Sequence, residues 1–272
     1  MKPKEILVFG ASGQIGRNLI RKLTKNNYKV VAVTRNIHQK GYILKTQANP
    51  GYLEIVELPY FEVKKITRLL DECSICINLI GILFEKRKNY FKNIHTEFPN
   101  LLSKLSAEKN IEKLIHLSSL GVEKSVNSNY AISKLEGENL VKNNFDKAVV
   151  LKPSIVYSVD DNFTTSFMTL LNRLPIMPIY YQGKTKFAPI HVSDLVQIIF
   201  DVVEGKTDIQ TIECIGPEIL SFKEIILKLL NSINKKRLLI PLPLVLAKIT
   251  ARIFELMPNP LITVDQVNLL KY

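Results

Sequence analysis

Ser119, Tyr130 and Lys134 fall within one stretch of the chain, "EKLIHLSSLGVEKSVNSNYAISKLEG" (residues 112 to 137). A tyrosine and a lysine spaced i and i+4 project from one face of a helix. The ammonium beside the phenol favours the phenolate, and a neighbouring serine hydroxyl is suited to hold a substrate carbonyl. Such a trio fits proton transfer coupled to hydride transfer. Taken alone, Tyr-x-x-x-Lys is a common accident, so its meaning depends on what the rest of the chain provides.

A hydride donor or acceptor would need a site of its own, and "VFGASGQIGRNLI" (8 to 20) has the right context for one. Ile6-Leu7-Val8-Phe9 reads as a short apolar strand and Gly10 to Gly16 as a turn, after which Ile15, Leu19, Ile20 and Leu23 recur at helical spacing. Gly10 permits the tight turn, Gly13 lets the backbone approach a pyrophosphate, and Gly16 lets the helix pack on the strand. Ser12, Gln14 and Ile15 lie between them, where the helix start offers free N–H donors to phosphates. The spacing is G-x-x-G-x-x-G, one residue wider than the usual dinucleotide fingerprint, and a glycine-bearing turn in another α/β protein is the competing reading. Lys134 would then also serve ribose hydroxyls.

The second strand, in "YKVVAVTRN" (28 to 36), bears on which nucleotide. Thr34 stands where an NAD-selective site carries an acidic residue for the ribose 2′-hydroxyl, and Arg35 follows it. Arg35 and Arg17 could clamp a 2′-phosphate, which favours NADPH over NADH. The bland alternative is two solvated surface arginines.

These residues need a scaffold. Apolar strands near 5–9, 29–34, 52–57, 74–80, 112–118 and 147–152 alternate with helical patterns near 14–26, 62–71, 89–108 and 130–144. That alternation predicts an α/β Rossmann fold, a doubly wound parallel sheet covered by helices, over residues 1–152. From 153 to 272 prolines cluster and helices near 161–172, 192–204, 221–231 and 242–256 are separated by short strands. This predicts a smaller substrate-side or docking lobe, with strands possible that return to the main sheet.

Composition narrows the setting. The 272 residues are 46% hydrophobic and 23% charged, as in an ordinary soluble protein. No apolar run reaches the ~18 residues needed to span a bilayer, and the first strand begins by residue 5, leaving no expected signal peptide. Three cysteines fit a reducing compartment. Cys73 and Cys76 have C-x-x-C spacing but run into an apolar strand, where core packing is the better account than redox chemistry. The four histidines, His38, His95, His116 and His191, show no ligand spacing, so no metal is expected. The net charge of +12 comes from lysines spread along the chain, without a nucleic-acid module, although it is compatible with an anionic membrane surface.

With these motifs in order, the chain resembles the extended or atypical branch of the short-chain dehydrogenase/reductase superfamily. The resemblance is carried by the glycine loop, Asn78 in "INLIG", Ser119, Tyr130, Lys134, "LKPSIVYS" and "PIHVSDL". It implies that Asn78, Leu79, Ile80, Gly81 and Ser118 line the dinucleotide, that Pro153 and Ser154 lie beside the nicotinamide, and that His191 and Asp194 stand at the join with the second lobe. "INLIGILFEKRKNYFKNIHTEFPNLLSKLSAEKNIEKLIHLSSLG", "FAPIHVSDL" and "PNPLITVDQVNLL" further resemble the branch formed by the nucleotide-binding accessory subunits of respiratory complex I, NADH:ubiquinone oxidoreductase, and their bacterial relatives. Members of that branch hold NADPH and support the complex rather than carry its main electron transfer, which implies complex I subunits as partners. Two departures stand out. Relatives continue beyond the segment matching "DQVNLL", so a final docking element is expected to be missing, and Ser119 is a serine where the mitochondrial relative has none. The intact trio keeps a free-standing reductase, epimerase or dehydratase open, and a redox-sensing regulator is a third reading.

One further stretch, "LLIPLPLVLAKITARIFELM" (238 to 257), predicts a helix after Pro243. Leu242, Val245, Leu246, Ile249, Ile253 and Leu256 fall on one side, with Lys248, Arg252 and Glu255 largely on the other. Such a stripe ordinarily packs on its own domain. The sharper alternative is a docking face, which predicts a peripheral protein on the cytoplasmic side of the inner membrane.

Overall fold

The computed structural model describes residues 5–85, 87–256, 260 and 262–271. Glu5–Phe9 forms β1, followed by α1 (Gln14–Lys25), β2 (Lys29–Thr34), α2 (Ile37–Lys45), β3 (Leu53–Glu57), α3 (Val63–Glu72) and β4 (Ile75–Asn78). A π-helix over Lys92–Glu97 runs into α4 (Phe98–Glu108), and β5 (Lys113–Leu117), α5 (Asn129–Asn144) and β6 (Ala148–Pro153) complete the alternation. The strands are apolar on both faces because both faces are covered: Ile6, Leu7, Val8, Phe9, Cys76 and Ile77 are wholly buried. Helix α2 is absent from the sequence reading, which stops its second strand at Thr34 and resumes at residue 52.

After β6 come β7 (Val156–Tyr157), α6 (Asn162–Arg173), β8 (Ile176–Tyr180), β9 (Lys186–Phe187) and β10 (Ile190–His191). Then follow α7 (Val192–Val203), β11 (Thr211–Cys214), β12 (Leu220–Ser221), α8 (Phe222–Ser232), β13 (Leu238–Leu242), α9 (Leu244–Phe254) and α10 (Val264–Leu269). Strand β11 returns to the main sheet, which has seven parallel strands in the order β11-β6-β5-β4-β1-β2-β3. The order reverses between β1 and β4, where Phe9 lies opposite Asn78. That reversal opens a crevice at the carboxyl ends of the two strands, the place where doubly wound sheets bind ligands.

The chain divides into two compact units, each assembled from three segments. The first comprises residues 1–120, 133–153 and 192–214, and the second 121–132, 154–191 and 215–272. Helix α5 therefore starts in the second unit and continues into the first. The core of the first unit gathers Leu7, Phe9, Phe98 and Leu102, with the Phe9 and Phe98 rings edge to face at 5.2 Å and Phe61 stacked on Phe98 at 3.9 Å. Two smaller clusters hold the second unit. One joins Leu171, Met177, Ile179, Phe222 and Ile226, and the other joins Tyr180, Ala247, Ala251 and Val267. No described helix is long and apolar enough to cross a membrane.

Candidate functional site

The glycine loop has the geometry a phosphate cradle requires. Gly10 has φ +77°, and a Cβ there would sit 2.9 Å from the Leu79 carbonyl carbon, so a side chain is excluded by both backbone shape and space. A Cβ on Gly16 would come within 2.5 Å of the Gly10 and Ala11 carbonyl oxygens, which fixes α1 tightly against the turn. The Gly13 N–H donates to the Gly10 carbonyl at 3.1 Å, and Gly13 is the N-cap of α1 without a side chain to occupy the first-turn donors. That turn holds no acidic residue. Ser12 and Ile15 are half-buried beside the exposed Gly13. The residues present therefore fit a dinucleotide pyrophosphate.

On the other side of the crevice, Asn78 is 1% exposed and builds the facing loop. Its Oδ1 accepts the Ile80 N–H at 3.1 Å, and its Nδ2 donates to His116 Nδ1 at 3.2 Å, which leaves the proton of neutral His116 on Nε2. That Nε2 is buried without a partner among the described residues. The Leu79–Gly81 backbone then passes close to Lys134: a Cβ on Gly81 would lie 3.4 Å from Nζ and 3.9 Å from His95 Nε2. Histidine 95 ties the two together. Its Nε2 accepts the Ile82 N–H at 3.1 Å and its Nδ1 donates to the Ser133 hydroxyl at 3.0 Å, a tautomer opposite to that of His116. Burial first, then the charges of Lys134 and His116, lower the His95 pKa to about 2; burial and Lys134 lower that of His116 to about 3. Both rings are neutral structural pins. Helix α5 reaches His95 through Gly137, where a Cβ would stand 1.8 Å from the His95 carbonyl oxygen.

Lys134 is 4% exposed and donates from Nζ to the Leu117 carbonyl at 2.9 Å. Burial pushes its ammonium down to about 8, opposed by the Glu138 carboxylate one turn later. Ser118 is committed elsewhere, donating to Glu138 Oε2 at 2.9 Å. Glu138 in turn is paired with Lys142 at 2.7 Å and Lys152 at 3.8 Å, so the buried carboxylate is balanced. Ser119 is half-buried immediately after Ser118. Pro153 closes β6, its carbonyl accepting the Leu120 N–H at 3.0 Å.

Within the first unit the structure thus gathers Gly10, Asn78, Leu79, Ile80, Gly81, Ser118, Ser119, Lys134 and Pro153 at the carboxyl end of the sheet. Arg17 lies in the first turn of α1, and Arg35 is exposed directly after β2, where its Nη1 lies 3.4 Å from the Tyr90 hydroxyl. Glu57, absent from the sequence reading, lies opposite Thr34 in the sheet and accepts the Ile37 N–H at 2.9 Å. Tyr130 is half-buried in the first turn of α5, four residues before Lys134, and belongs to the second unit. Ser154 is also in that unit and accepts the Ala188 N–H at 3.2 Å. There His191 packs edge to face on Tyr157 at 5.2 Å, whereas Asp194 opens α7 in the first unit.

Sequence reasoning overlooked His95, Glu138, Lys152 and Glu57. The only signal for Glu138 was its i+4 spacing from Lys134. His95 sits in a π-turn, a local widening that an apolar period does not encode, though such turns are frequent at functional sites. Cys73 and Cys76 are buried in the first core. Burial raises Cys73 to about 12 and Cys76 well above the ordinary thiol range, which leaves no ready thiolate. No group of three or more His, Cys, Asp or Glu among the described residues is arranged to hold a metal.

The model of the NAD dependent epimerase/dehydratase family matches residues 6–213. The chain belongs to that family. The solved UDP-glucuronic acid 4-epimerase of Bacillus cereus, in complex with UDP-glucuronic acid and NAD, superimposes with a TM-score of 0.73. It is 22% identical, covering 88% of this chain and 86% of that one, a likeness of fold. Among curated proteins, the mitochondrial NADH dehydrogenase [ubiquinone] 1 alpha subcomplex subunit 9 of Dictyostelium discoideum is 28% identical over 80% of this chain. The mouse protein of the same name is 25% identical over 96% of this chain and 70% of its own length. The chain spans 60% of the length of the Dictyostelium protein.

Proposed function

We propose that this family member is an NADPH-binding accessory or assembly subunit of NADH:ubiquinone oxidoreductase, held at the cytoplasmic face of the inner membrane. The observation that carries the reading is the placement of α9. That helix seats itself through Ala247 and Ala251 and turns Val245, Leu246, Ile249 and Ile253 outward, Val245 at 71% exposure, and Leu256 just beyond its end is 87% exposed. The expectation that this stripe packs on its own domain holds for Leu242 and not for the exposed residues, because the alanines between them allow the closer approach. Leu238 and Ile240 of β13 and Ile176 of β8 are exposed as well, and Lys235, Lys236, Lys248 and Arg252 add positive charge. Exposed apolar and basic side chains of this kind support a docking role, and they suit a protein partner beside anionic lipid. The names of the Dictyostelium and mouse relatives agree with a place in that complex.

In this reading the α1 N-terminus and glycine loop hold the pyrophosphate, Asn78 to Gly81 and Ser118 shape the opposite wall, Arg17 and Arg35 take the 2′-phosphate, and Tyr130, Lys134, Pro153 and Ser154 serve the nicotinamide ribose end. The nucleotide, when bound, supplies a hydride. A second reading, a free-standing reductase, epimerase or dehydratase, is favoured by one fact: Ser119, Tyr130 and Lys134 are all present. The substitution Tyr130→Phe separates them, because it removes the phenolic proton and keeps the ring. A subunit with this change restores respiration to a deletion strain. Failure to restore it, with folding and NADPH binding intact, favours the enzyme.

A further inference from the structure

Helix α5 is capped from far away in sequence. The Asp265 carboxylate accepts the Ser128 hydroxyl at 2.8 Å, the Asn129 N–H at 2.7 Å and the Tyr130 N–H at 3.2 Å, the last from a residue 135 positions earlier. Ser128 relays the cap, its Oγ accepting the Ala131 N–H at 3.2 Å, and Asn268 donates to the Asn127 carbonyl at 3.1 Å. Anionic oxygens at a helix start satisfy orphan donors and complement the helix dipole, so the first turn of α5 is held by charge as well as by geometry.

Asp265 is itself fixed. It opens α10, whose N-cap Thr263 forms a capping box with Gln266 through bonds of 3.1 and 3.0 Å. Val267 of α10 is wholly buried against Ala247 and Ala251 of α9, and Glu255 at the end of α9 accepts the Val264 N–H at 2.8 Å. A continuous chain of packed and hydrogen-bonded groups therefore runs from the inner face of α9, through Val267 and Asp265, to the backbone of Tyr130. The outer face of the same α9 is the exposed apolar stripe.

We infer that Asp265 is a positioning residue for Tyr130, its carboxylate fixing the first turn of α5 from which that side chain projects. The inference rests on the NADPH reading above for its consequence and on the three hydrogen bonds for its cause.

The test measures NADPH affinity of the full chain with Asp265→Asn, alone and combined with Tyr130→Ala, alongside hydrogen exchange at the Asn129 to Ile132 amides without nucleotide. Asp265→Asn is expected to weaken NADPH roughly three- to tenfold. In the Tyr130→Ala background the same change should matter less than about twofold, since the ring that Asp265 would position is gone. Faster exchange at Asn129 and Tyr130 is expected in either background. Asp265→Glu, which retains the carboxylate, should recover part of the affinity and serves if the asparagine variant folds poorly. Unchanged exchange overturns the clamp outright. Equal affinity losses in both backgrounds, or unchanged affinity, overturn its action through Tyr130. If the unaltered chain binds no NADPH while exchange still responds, the nucleotide reading fails and the clamp stands.

Discussion

The hydroxyl of Ser118 donates to Glu138 at 2.9 Å, inside the first unit and away from solvent. Of the two consecutive serines that follow β5, the first is thus spent on holding α5 to the sheet, and Ser119 is the one that the second reading proposes for a substrate.

Glu138 also answers Lys142 and the buried Lys152, so Glu138→Gln removes the buried carboxylate from a charged network. A loss of about 3 to 5 kcal/mol is expected in urea unfolding. Ser118→Ala removes one hydrogen bond to a charged group and should cost only about 1.5 to 3 kcal/mol. Equal and small losses for both would show that the network is not a stabilising one.

The buried histidines set the acid limit of the fold. Their pKa values, about 2 for His95 and about 3 for His116, lie below the ordinary 6.5, so the unfolded chain binds more protons between those values. Stability from neutral rings is therefore full above pH 6.5 and falls as pH drops toward 3. Each histidine contributes a slope of about 1.4 kcal/mol per pH unit over that range. Lys134 acts at the other end: its burial penalty is full below about pH 8 and is relieved as pH rises toward 10.5. Urea titrations at pH 7, 6 and 5 should show a steep loss in the unaltered protein, made shallower by His95→Asn.

Arg35 stands exposed at the end of β2 with Thr34 buried before it. Arg35→Asp should remove a partner for a 2′-phosphate and provide one for a ribose hydroxyl, with NADPH weakened by ~1.5 to 3 kcal/mol and NADH strengthened. Calorimetric titration with both nucleotides measures this. Unchanged NADPH affinity would return Arg35 to the solvated surface.

The strands were legible because β1, β2, β4, β5 and β6 are buried on both faces, and a short continuous apolar run between turn residues has few other readings. Helix α2 was not, since "IHQKGYILK" buries only Gly41 and Leu44 and has little apolar periodicity to detect. The glycine loop, Asn78 and the tyrosine–lysine spacing were visible as motifs. His95 and Asp265 were invisible because what makes them matter is tertiary: each is an ordinary residue in a local pattern, given its role by a segment 38 or more positions away. For α9 the periodicity marked the correct stripe, yet spacing alone does not say whether large residues or the alanines between them face the protein.

That outward stripe makes a separable prediction. Ile249→Glu with Ile253→Glu changes two exposed residues and should alter stability by less than about 1 kcal/mol. Membrane association in a native lysate at low salt should be lost. Unaltered protein is expected to sediment with membranes and to be released by high salt or alkaline wash without detergent. A doubly substituted protein that still sediments would remove α9 from the docking surface.

The most direct measurement is purification from gently lysed native cells at low ionic strength with no nucleotide added, followed by identification of the bound nucleotide and of the proteins that accompany the chain. The account predicts NADPH on the protein and subunits of NADH:ubiquinone oxidoreductase with it. Recovery entirely in the soluble fraction, without those subunits, would contradict the accessory role and leave the free-standing reductase in its place.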